Sequence, residues 1–183
     1  MRAKTSVYIA TSIDGFIARP DGSLDWLNDA NAGVPSGEDF GYKEFMKSVD
    51  VLVMGRNTFA QVLTFDAWPY EDKKVVVLSS KPLRVPVELT NTVSASAESP
   101  NVLVERLSAD GAIHLYIDGG VTIQRFLATG LIDEITITLI PVILGQGRPL
   151  FGQIEKDIPL VHLATKTFDS GFIQIKYLVE RHA

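Results

Sequence analysis

The chain has 183 residues, of which 46% are hydrophobic and 21% are charged, and its formal net charge is −5. This length and composition are typical of one globular domain and exclude disordered, collagen-like and low-complexity proteins. The negative net charge argues against nucleic acid and anionic membranes as partners. Because the sequence contains no cysteine, disulfides, zinc–thiolate sites, iron–sulfur clusters and cysteine nucleophiles are excluded.

The first half of the chain alternates short apolar runs with polar or amphipathic stretches. The apolar run near the N-terminus is too short for a signal peptide, and no later run reaches the roughly 20 residues of a membrane span, so we expect a cytoplasmic protein. In chain order the pattern predicts a strand over Val7–Ala10, a long polar loop over Ser12–Pro35, a helix over Asp39–Ser48, a strand over Asp50–Met54, a helix over Thr58–Leu63, and strands over Lys74–Leu78 and Asn91–Ala95.

The second half continues the alternation and then changes to strands alone. Ser99-Pro100 begins a helix that ends at Gly111, and the elements after it are a strand over Ile113–Ile117, a helix over Gly120–Thr129, and strands over Ile132–Ile140, Leu160–Phe168 and Phe172–Arg181. We therefore predict an α/β fold, with residues 1–183 as a single domain. Its central sheet has about eight strands, is mostly parallel, is flanked by helices and ends in a C-terminal antiparallel hairpin.

Polar turns follow three of the predicted strands, at the edge where parallel strands end and ligands bind. They are Gly55–Thr58, Leu78–Lys81 and Ile117–Thr122, of which the first and third open helices. A helix start offers free N–H groups to phosphate, and Arg56 adds a cation. Each turn alone is also typical of an ordinary cap or polar turn. Together the three predict an extended phosphorylated ligand, such as a dinucleotide, across the sheet edge.

Two carboxylates are candidate proton donors to a substrate. Asp39 lies on the first predicted helix and Asp14 follows the first strand. Carboxylates at these places also cap helices and form turns, so the structural alternative stays open for both. We predict no metal site, because His114, His162 and His182 lack metal-ligand spacing.

Four sequence blocks, in this order and spacing, resemble the dihydrofolate reductase fold over nearly the whole chain. The blocks read ATSIDGFIARPDGSLDWL, VLVMGRNTF, VVVLSS and LYIDGGVTIQRFL. Within that fold, SIDGFIA and GLIDEITITLIPVILGQGRPLF are similar to stand-alone relatives of the C-terminal reductase domain of the bacterial riboflavin-biosynthesis deaminase–reductase.

This resemblance implies an NADPH-dependent reductase and assigns roles to named residues. Arg56 would favour NADPH over NADH by pairing with its 2′-phosphate. The implied cofactor-binding residues are Ala10 and Ile17 beside the nicotinamide, Gly55, Arg56, Asn57 and Thr58 at the phosphates, Leu78, Ser79 and Ser80 on the adenosine side, and Ile117, Gly119, Gly120, Val121 and Thr122 at the pyrophosphate. The implied substrate-side residues are Trp26, Phe40 and Thr138.

The substrate side departs from both relatives, since Tyr8 stands where riboflavin reductases usually carry Lys. The expected activity is therefore hydride transfer to a small heterocyclic or sugar-imine substrate. The first candidate is 5-amino-6-(5-phosphoribosylamino)uracil, and dihydrofolate or another nitrogen heterocycle comes second. An NADPH-binding regulatory module without turnover is the alternative of another class. The resemblance also implies a homodimer through Ile132–Leu144, and the loop Ser12–Pro35 is the candidate lid.

Overall fold

A central sheet surrounded by short helices organises the computed structural model, which describes residues 1–180. The described strands are β1 (Lys4–Ser12), β2 (Phe16–Ala18), β3 (Val51–Gly55), β4 (Lys74–Leu78), β5 (Val93–Ser96), β6 (His114–Asp118), β7 (Glu134–Ile140), β8 (Arg148–Pro149), β9 (Leu160–Thr167) and β10 (Ile173–Val179). The described α-helices are α1 (Asp25–Asn31), α2 (Tyr42–Ser48), α3 (Arg56–Val62), α4 (Pro100–Ala109) and α5 (Gly120–Ala128), with a 3₁₀ turn at Val87–Leu89.

Eight of these strands form the main sheet in the order β5-β4-β3-β6-β1-β7-β10-β9. Neighbours from β5 to β7 pair in parallel, whereas β10 pairs antiparallel with both β7 and β9. The parallel part arises because each of its connections passes through a helix or a long crossover. The predicted α/β fold with a mostly parallel sheet and a C-terminal antiparallel pair is confirmed.

Both faces of the sheet are buried along its central strands β3, β4 and β6, which explains why these strands read as continuous apolar runs. Along β3, Val51 and Val53 pack into one cluster with α4 and α5, while Leu52 and Met54 pack into a second cluster with α3. This alternation follows from the two-residue period of a strand. The sheet is therefore held rigidly between two helical layers, and its edge can position a site.

The segment over Ser12–Pro35 differs from the loop that the sequence predicts. It contains β2, which pairs with β8 in a separate two-stranded sheet, and α1, which buries the Trp26 side chain. The β2–β8 pairing joins residues about 130 positions apart, so it has no local sequence signal. Because both elements are folded onto the domain, we do not propose this segment as a lid.

Helix α2 begins at Tyr42, three residues later than predicted. Phe40 and Gly41 adopt left-handed backbone conformations, with φ of 57° and 86°, which a right-handed helix cannot include. The Asp39 carboxylate accepts hydrogen bonds from the backbone N–H groups of Gly41 at 3.0 Å and Lys43 at 2.9 Å. Asp39 therefore caps the helix from outside it.

The dimer contact predicted through Ile132–Leu144 stays a prediction, and its residues differ in exposure, since Pro141 and Ile143 after the strand are exposed. Strand β7 lies between β1 and β10 in the main sheet, and Ile135, Thr136 and Thr138 are buried. The last predicted strand also ends earlier, at Val179, and Arg181 and His182 lie outside the described residues.

Candidate functional site

The carboxyl ends of β1, β3, β4 and β6 meet at one edge of the main sheet, where a cleft of about 820 Å³ opens. Residues from all four strand ends contribute to its wall because parallel strands present their ends on the same side. Of the predicted cofactor-binding residues, those that line this cleft are Ala10, Ile17, Gly55, Arg56, Asn57, Thr58, Leu78, Gly119, Gly120, Val121 and Thr122.

Two glycine turns pack against each other at the floor of this cleft. A Cβ on Gly55 would lie 2.9 Å from the Thr122 hydroxyl, and a Cβ on Gly119 would overlap the Thr58 hydroxyl. Gly119 also has a φ of +88°, which disfavours any side chain. Each turn thus leaves room for a threonine from the other helix, and only glycine allows that approach.

The cleft is suited to an anionic ligand. Helix α5 begins at Gly120 in its floor, and its first N–H groups have no capping side chain among the described residues. Arg56, Arg125 and Arg148 line the same cleft. The Arg56 guanidinium donates one hydrogen bond to the Pro82 carbonyl at 3.1 Å. Three guanidinium groups and a helix start can together hold a pyrophosphate and a further phosphate.

One acidic side chain also lines this cleft, and the sequence reasoning did not weigh it. Asp118 ends β6, and its carboxylate accepts a hydrogen bond from the Gly119 N–H at 2.8 Å. Burial raises the pKa of Asp118 to about 6, against the lowering effect of that hydrogen bond. Asp118 can therefore hold or release a proton near neutral pH. Its place directly before the Gly-Gly bend was the available signal.

A second cavity of about 470 Å³ adjoins the cleft. Ile9, Ala10 and Leu27 line both spaces, so β1 and α1 form the boundary between them. Its wall is mainly apolar and aromatic, and its lining includes Phe40 and Thr138, which the sequence assigns to the substrate side, and Asp39. Two connected spaces that meet at Ala10 can hold two ligands end to end.

A buried amide fixes the wall of the second cavity. The two hydrogens of the Gln174 side-chain NH₂ group are shared by three acceptors, which are the Tyr8 hydroxyl at 2.9 Å, the Phe40 carbonyl at 3.0 Å and the Thr138 hydroxyl at 3.0 Å. The Tyr8 hydroxyl donates to the same Phe40 carbonyl. This network holds Phe40 in its left-handed conformation, with its ring stacked 5.1 Å from that of Phe172. Gln174 comes from β10, distant in sequence, and sequence reasoning missed it.

The two predicted proton donors hold backbone in place. The Asp14 carboxylate accepts hydrogen bonds from the Ser12 hydroxyl at 2.6 Å and from the N–H groups of Leu144 at 3.1 Å and Gly145 at 2.7 Å, and these bonds lower its pKa. Asp14 lies outside the described residues that line either cavity. Backbone hydrogen bonds likewise lower the pKa of Asp39. Both groups are therefore ionised near neutral pH and poorly suited to donate a proton.

Four further residues with predicted roles lie away from the cavity walls. Ile117 is fully buried in the core, and Trp26 is buried beneath the second cavity, in a cluster with Ile140 and Phe172. Ser79 and Ser80 follow β4 outside the described lining of the cleft, where the Ser79 hydroxyl donates to the Lys81 carbonyl at 2.7 Å. These two serines form the polar turn that was the structural alternative for this segment.

The histidines have structural partners. His114 lies within 2.8 Å of the Ser6 hydroxyl, and burial lowers its pKa, whereas His162 contacts the Thr165 hydroxyl at 2.7 Å on the exposed strand β9. His182 lies outside the described residues. Within residues 1–180 no group of three His, Asp or Glu side chains is arranged to hold a metal ion. No helix in that part of the chain is long and apolar enough to span a membrane.

Comparison with known proteins identifies a matching family model and a similar bacterial protein. The family model described as the RibD C-terminal domain matches residues 3–173. The uncharacterized protein YwjB of Bacillus subtilis (strain 168) is 35% identical over an alignment of 181 residues, and the alignment covers 97% of this chain and 99% of YwjB.

Two solved structures extend the comparison. A crystal structure named "Putative riboflavin biosynthesis protein", from Shewanella sp. PV-4, has a TM-score of 0.91 and 42% identity, covering 99% of this chain and all of its own. Dihydrofolate reductase from Enterococcus faecalis, complexed with NADP(H) and RAB-propyl, has a TM-score of 0.64 and 19% identity, covering 99% of both chains. At 19% identity, the similarity to dihydrofolate reductase concerns the fold alone. It confirms the expected dihydrofolate reductase-like architecture.

Proposed function

The chain belongs to the RibD C-terminal domain family, and from this premise we propose that it is an NADPH-dependent reductase of a small heterocyclic substrate. The observation that carries the proposal is the floor of the cleft, where the Gly55 and Gly119 turns exclude side chains beside a helix start and three arginines. A cleft with this polarity and shape fits the phosphates of a dinucleotide.

Different residues along the cleft would bind different parts of the dinucleotide. Gly119, Gly120, Val121 and Thr122, facing Gly55 and Thr58, would hold the pyrophosphate. Arg56 would hold the additional phosphate that distinguishes NADPH from NADH, with Asn57 and Leu78 beside it. Ala10 and Ile17 would contact the nicotinamide, because Ala10 lies where the cleft meets the second cavity. When bound, the cofactor supplies a hydride to the substrate.

Asp118 is our proposed source of the proton that must accompany a hydride. It lines the cleft, its pKa is about 6, and its charge influences Tyr42, which lines the second cavity. An acid with a pKa near the working pH is an efficient proton donor. Asp14 and Asp39 do not share these properties, so we do not retain them as donors.

The experiment that tests this function is NADPH consumption with a panel of substrates. The panel contains 5-amino-6-(5-phosphoribosylamino)uracil, dihydrofolate, and other planar nitrogen heterocycles, and NADH is compared with NADPH. Consumption that depends on both substrate and enzyme supports the reductase. Tight NADPH binding without consumption on any substrate supports the regulatory module instead, and absence of NADPH binding contradicts both.

We also propose a homodimer, and we place its contact at the edge strand β9 of the main sheet. Strand β9 is exposed along its whole length, and Leu160, Val161 and Leu163 are large apolar side chains on it. An edge strand has unpaired backbone groups that can pair with another chain, and exposed apolar side chains on it favour such a contact. Light scattering after size-exclusion chromatography measures the mass, and a monomer at all concentrations contradicts this part.

A further inference from the structure

We propose that the second cavity selects planar heterocycles that carry amino groups and no phosphate, and that Glu38 and Asp39 enforce this selection. The inference rests on the proposed function in one respect, since the selected heterocycle is the molecule reduced. It goes further by naming a chemical class, and it favours a substrate other than the phosphoribosylated pyrimidine.

Charge is divided unequally between the two connected spaces. The first cleft is lined by Arg56, Arg125 and Arg148. The lining of the second cavity contains Glu38 and Asp39 and, among the described residues, no Lys, Arg or His. A phosphate monoester carries between one and two negative charges near neutral pH, so in the second cavity it would meet two like charges and no counter-charge.

The two charged groups of the second cavity, Glu38 and Asp39, also have the wrong hydrogen-bonding character for phosphate. Carboxylates only accept hydrogen bonds, and phosphate oxygens are mainly acceptors. The Glu38 carboxylate uses one oxygen, Oε1, to accept from the Phe40 N–H at 2.7 Å, and no group among residues 1–180 donates to its other oxygen. Ligand amino groups donate hydrogen bonds, so they match the carboxylate acceptors of this wall, whereas a phosphate placed against Glu38 and Asp39 would gain no hydrogen bond from them.

The remaining wall suits a flat ring. Phe40 and Phe172 are stacked with ring centroids 5.1 Å apart, and Leu27, Val34 and Ile140 extend the apolar surface. Thr138 adds one hydroxyl, which already accepts from Gln174 and can therefore donate to a ring nitrogen or carbonyl. Apolar walls with a few fixed polar groups are typical of sites for small planar ligands.

Lys43 acts on the charge of Asp39 but does not line the second cavity. Lys43 lies on α2, and its backbone N–H, rather than its ammonium group, contacts the Asp39 carboxylate at 2.9 Å. Its side chain is exposed and lies outside the described lining of the cavity. The positive charge of Lys43 helps to keep Asp39 ionised and partly offsets its negative charge, so the two carboxylates of the wall face this one cation from outside the lining.

Matched ligand pairs test the proposal directly. Each pair consists of one heterocyclic riboside and its 5′-phosphate, including 5-amino-6-ribosylaminouracil with its phosphate and neopterin with its phosphate. Dissociation constants are measured by calorimetry on the full chain saturated with NADP⁺, so that the first cleft is filled. We expect the phosphorylated member of each pair to bind about tenfold more weakly or worse.

A charge placed in the wall should shift this preference. Asn31 is exposed, lines the second cavity and is the last residue of α1, so a lysine there suits the helix end. Asn31→Lys should improve binding of the phosphorylated members relative to their partners by about threefold, the scale of an exposed ion pair. Asn28→Lys, on the same helix but outside the described lining, is the matched control and should leave the ratio unchanged.

Every outcome decides the inference. Equal or tighter binding of the phosphorylated members overturns it, and so does a failure of all members to bind the NADP⁺-loaded protein. An unchanged ratio in Asn31→Lys refutes the role assigned to the charge of the wall. Failure of the proposed function is separate: it appears as no NADPH binding in the absence of any substrate, whichever ligand pair is used.

Discussion

The replacement Asp118→Asn should stabilise the protein at neutral pH while impairing the proposed reaction. Asp118 lines the cleft with a pKa raised by burial from 3.8 to about 6. In the unfolded chain the same carboxyl loses its proton near pH 4. The folded protein therefore binds more protons than the unfolded chain between these values, and its stability falls as pH rises through that window.

The size of the effect follows from the shift. A difference of about two pKa units corresponds to roughly 3 kcal/mol at 1.36 kcal/mol per unit, which is an upper limit because water can reach the cleft. Below about pH 4 the wild-type carboxyl is neutral in both states, so the amide of Asp118→Asn changes little. Above about pH 6 the amide avoids the desolvated charge, and the variant gains up to that amount.

Urea unfolding followed by tryptophan fluorescence measures this difference. Wild type and Asp118→Asn are compared without cofactor at pH 4.5 and pH 8. The advantage of the variant should grow by roughly 1–3 kcal/mol between the two pH values. Asp66→Asn removes the same charge at an exposed position and serves as the control. If the free energies of unfolding of wild type and Asp118→Asn change equally with pH across this range, the raised pKa of Asp118 is refuted.

In the same variant, turnover with a reducible substrate should fall because the amide cannot donate the proton.

Three further replacements test other parts of the site. Gly119→Ala should weaken NADPH binding about tenfold or more in a fluorescence titration, because the new Cβ overlaps the Thr58 hydroxyl and the backbone has a left-handed φ. An affinity equal to that of wild type would contradict the packing of the two turns. Arg56→Ala should weaken NADPH binding about tenfold and NADH binding less, as expected for a lost charge-assisted hydrogen bond, while the exposed control Arg84→Ala leaves both unchanged. Gln174→Leu should destabilise the protein by about 1–3 kcal/mol in urea unfolding, since it removes the donor shared by three buried acceptors; an unchanged midpoint would contradict that network.

The strands were predictable because their composition is unambiguous. Lys74–Leu78 is a run of β-branched and apolar residues, and its bounds in the structure equal those predicted. The helix at Pro100 was equally clear, since proline at a first helical position and Ser99 before it mark a start. The order of the strands in the sheet was not predicted from these local signals, because strand pairing depends on contacts between distant residues.

The boundaries and contacts that sequence missed have a common physical cause. The late start of α2 depends on two left-handed residues, and Phe40 is a residue type that rarely adopts that conformation without outside support. That support comes from Gln174, 134 positions away. The raised pKa of Asp118 depends on burial by neighbouring strands, and Arg148 reaches the cleft through the β2–β8 pairing. Long-range contacts of this kind leave little trace in a single sequence.

A crystal structure of the full chain with NADPH tests the central claim most directly. The proposal predicts the pyrophosphate between the Gly55 and Gly119 turns, the 2′-phosphate within hydrogen-bonding distance of Arg56, and the nicotinamide beside Ala10 facing the second cavity. A dinucleotide bound elsewhere, or none at these two turns in crystals saturated with NADPH, would contradict it.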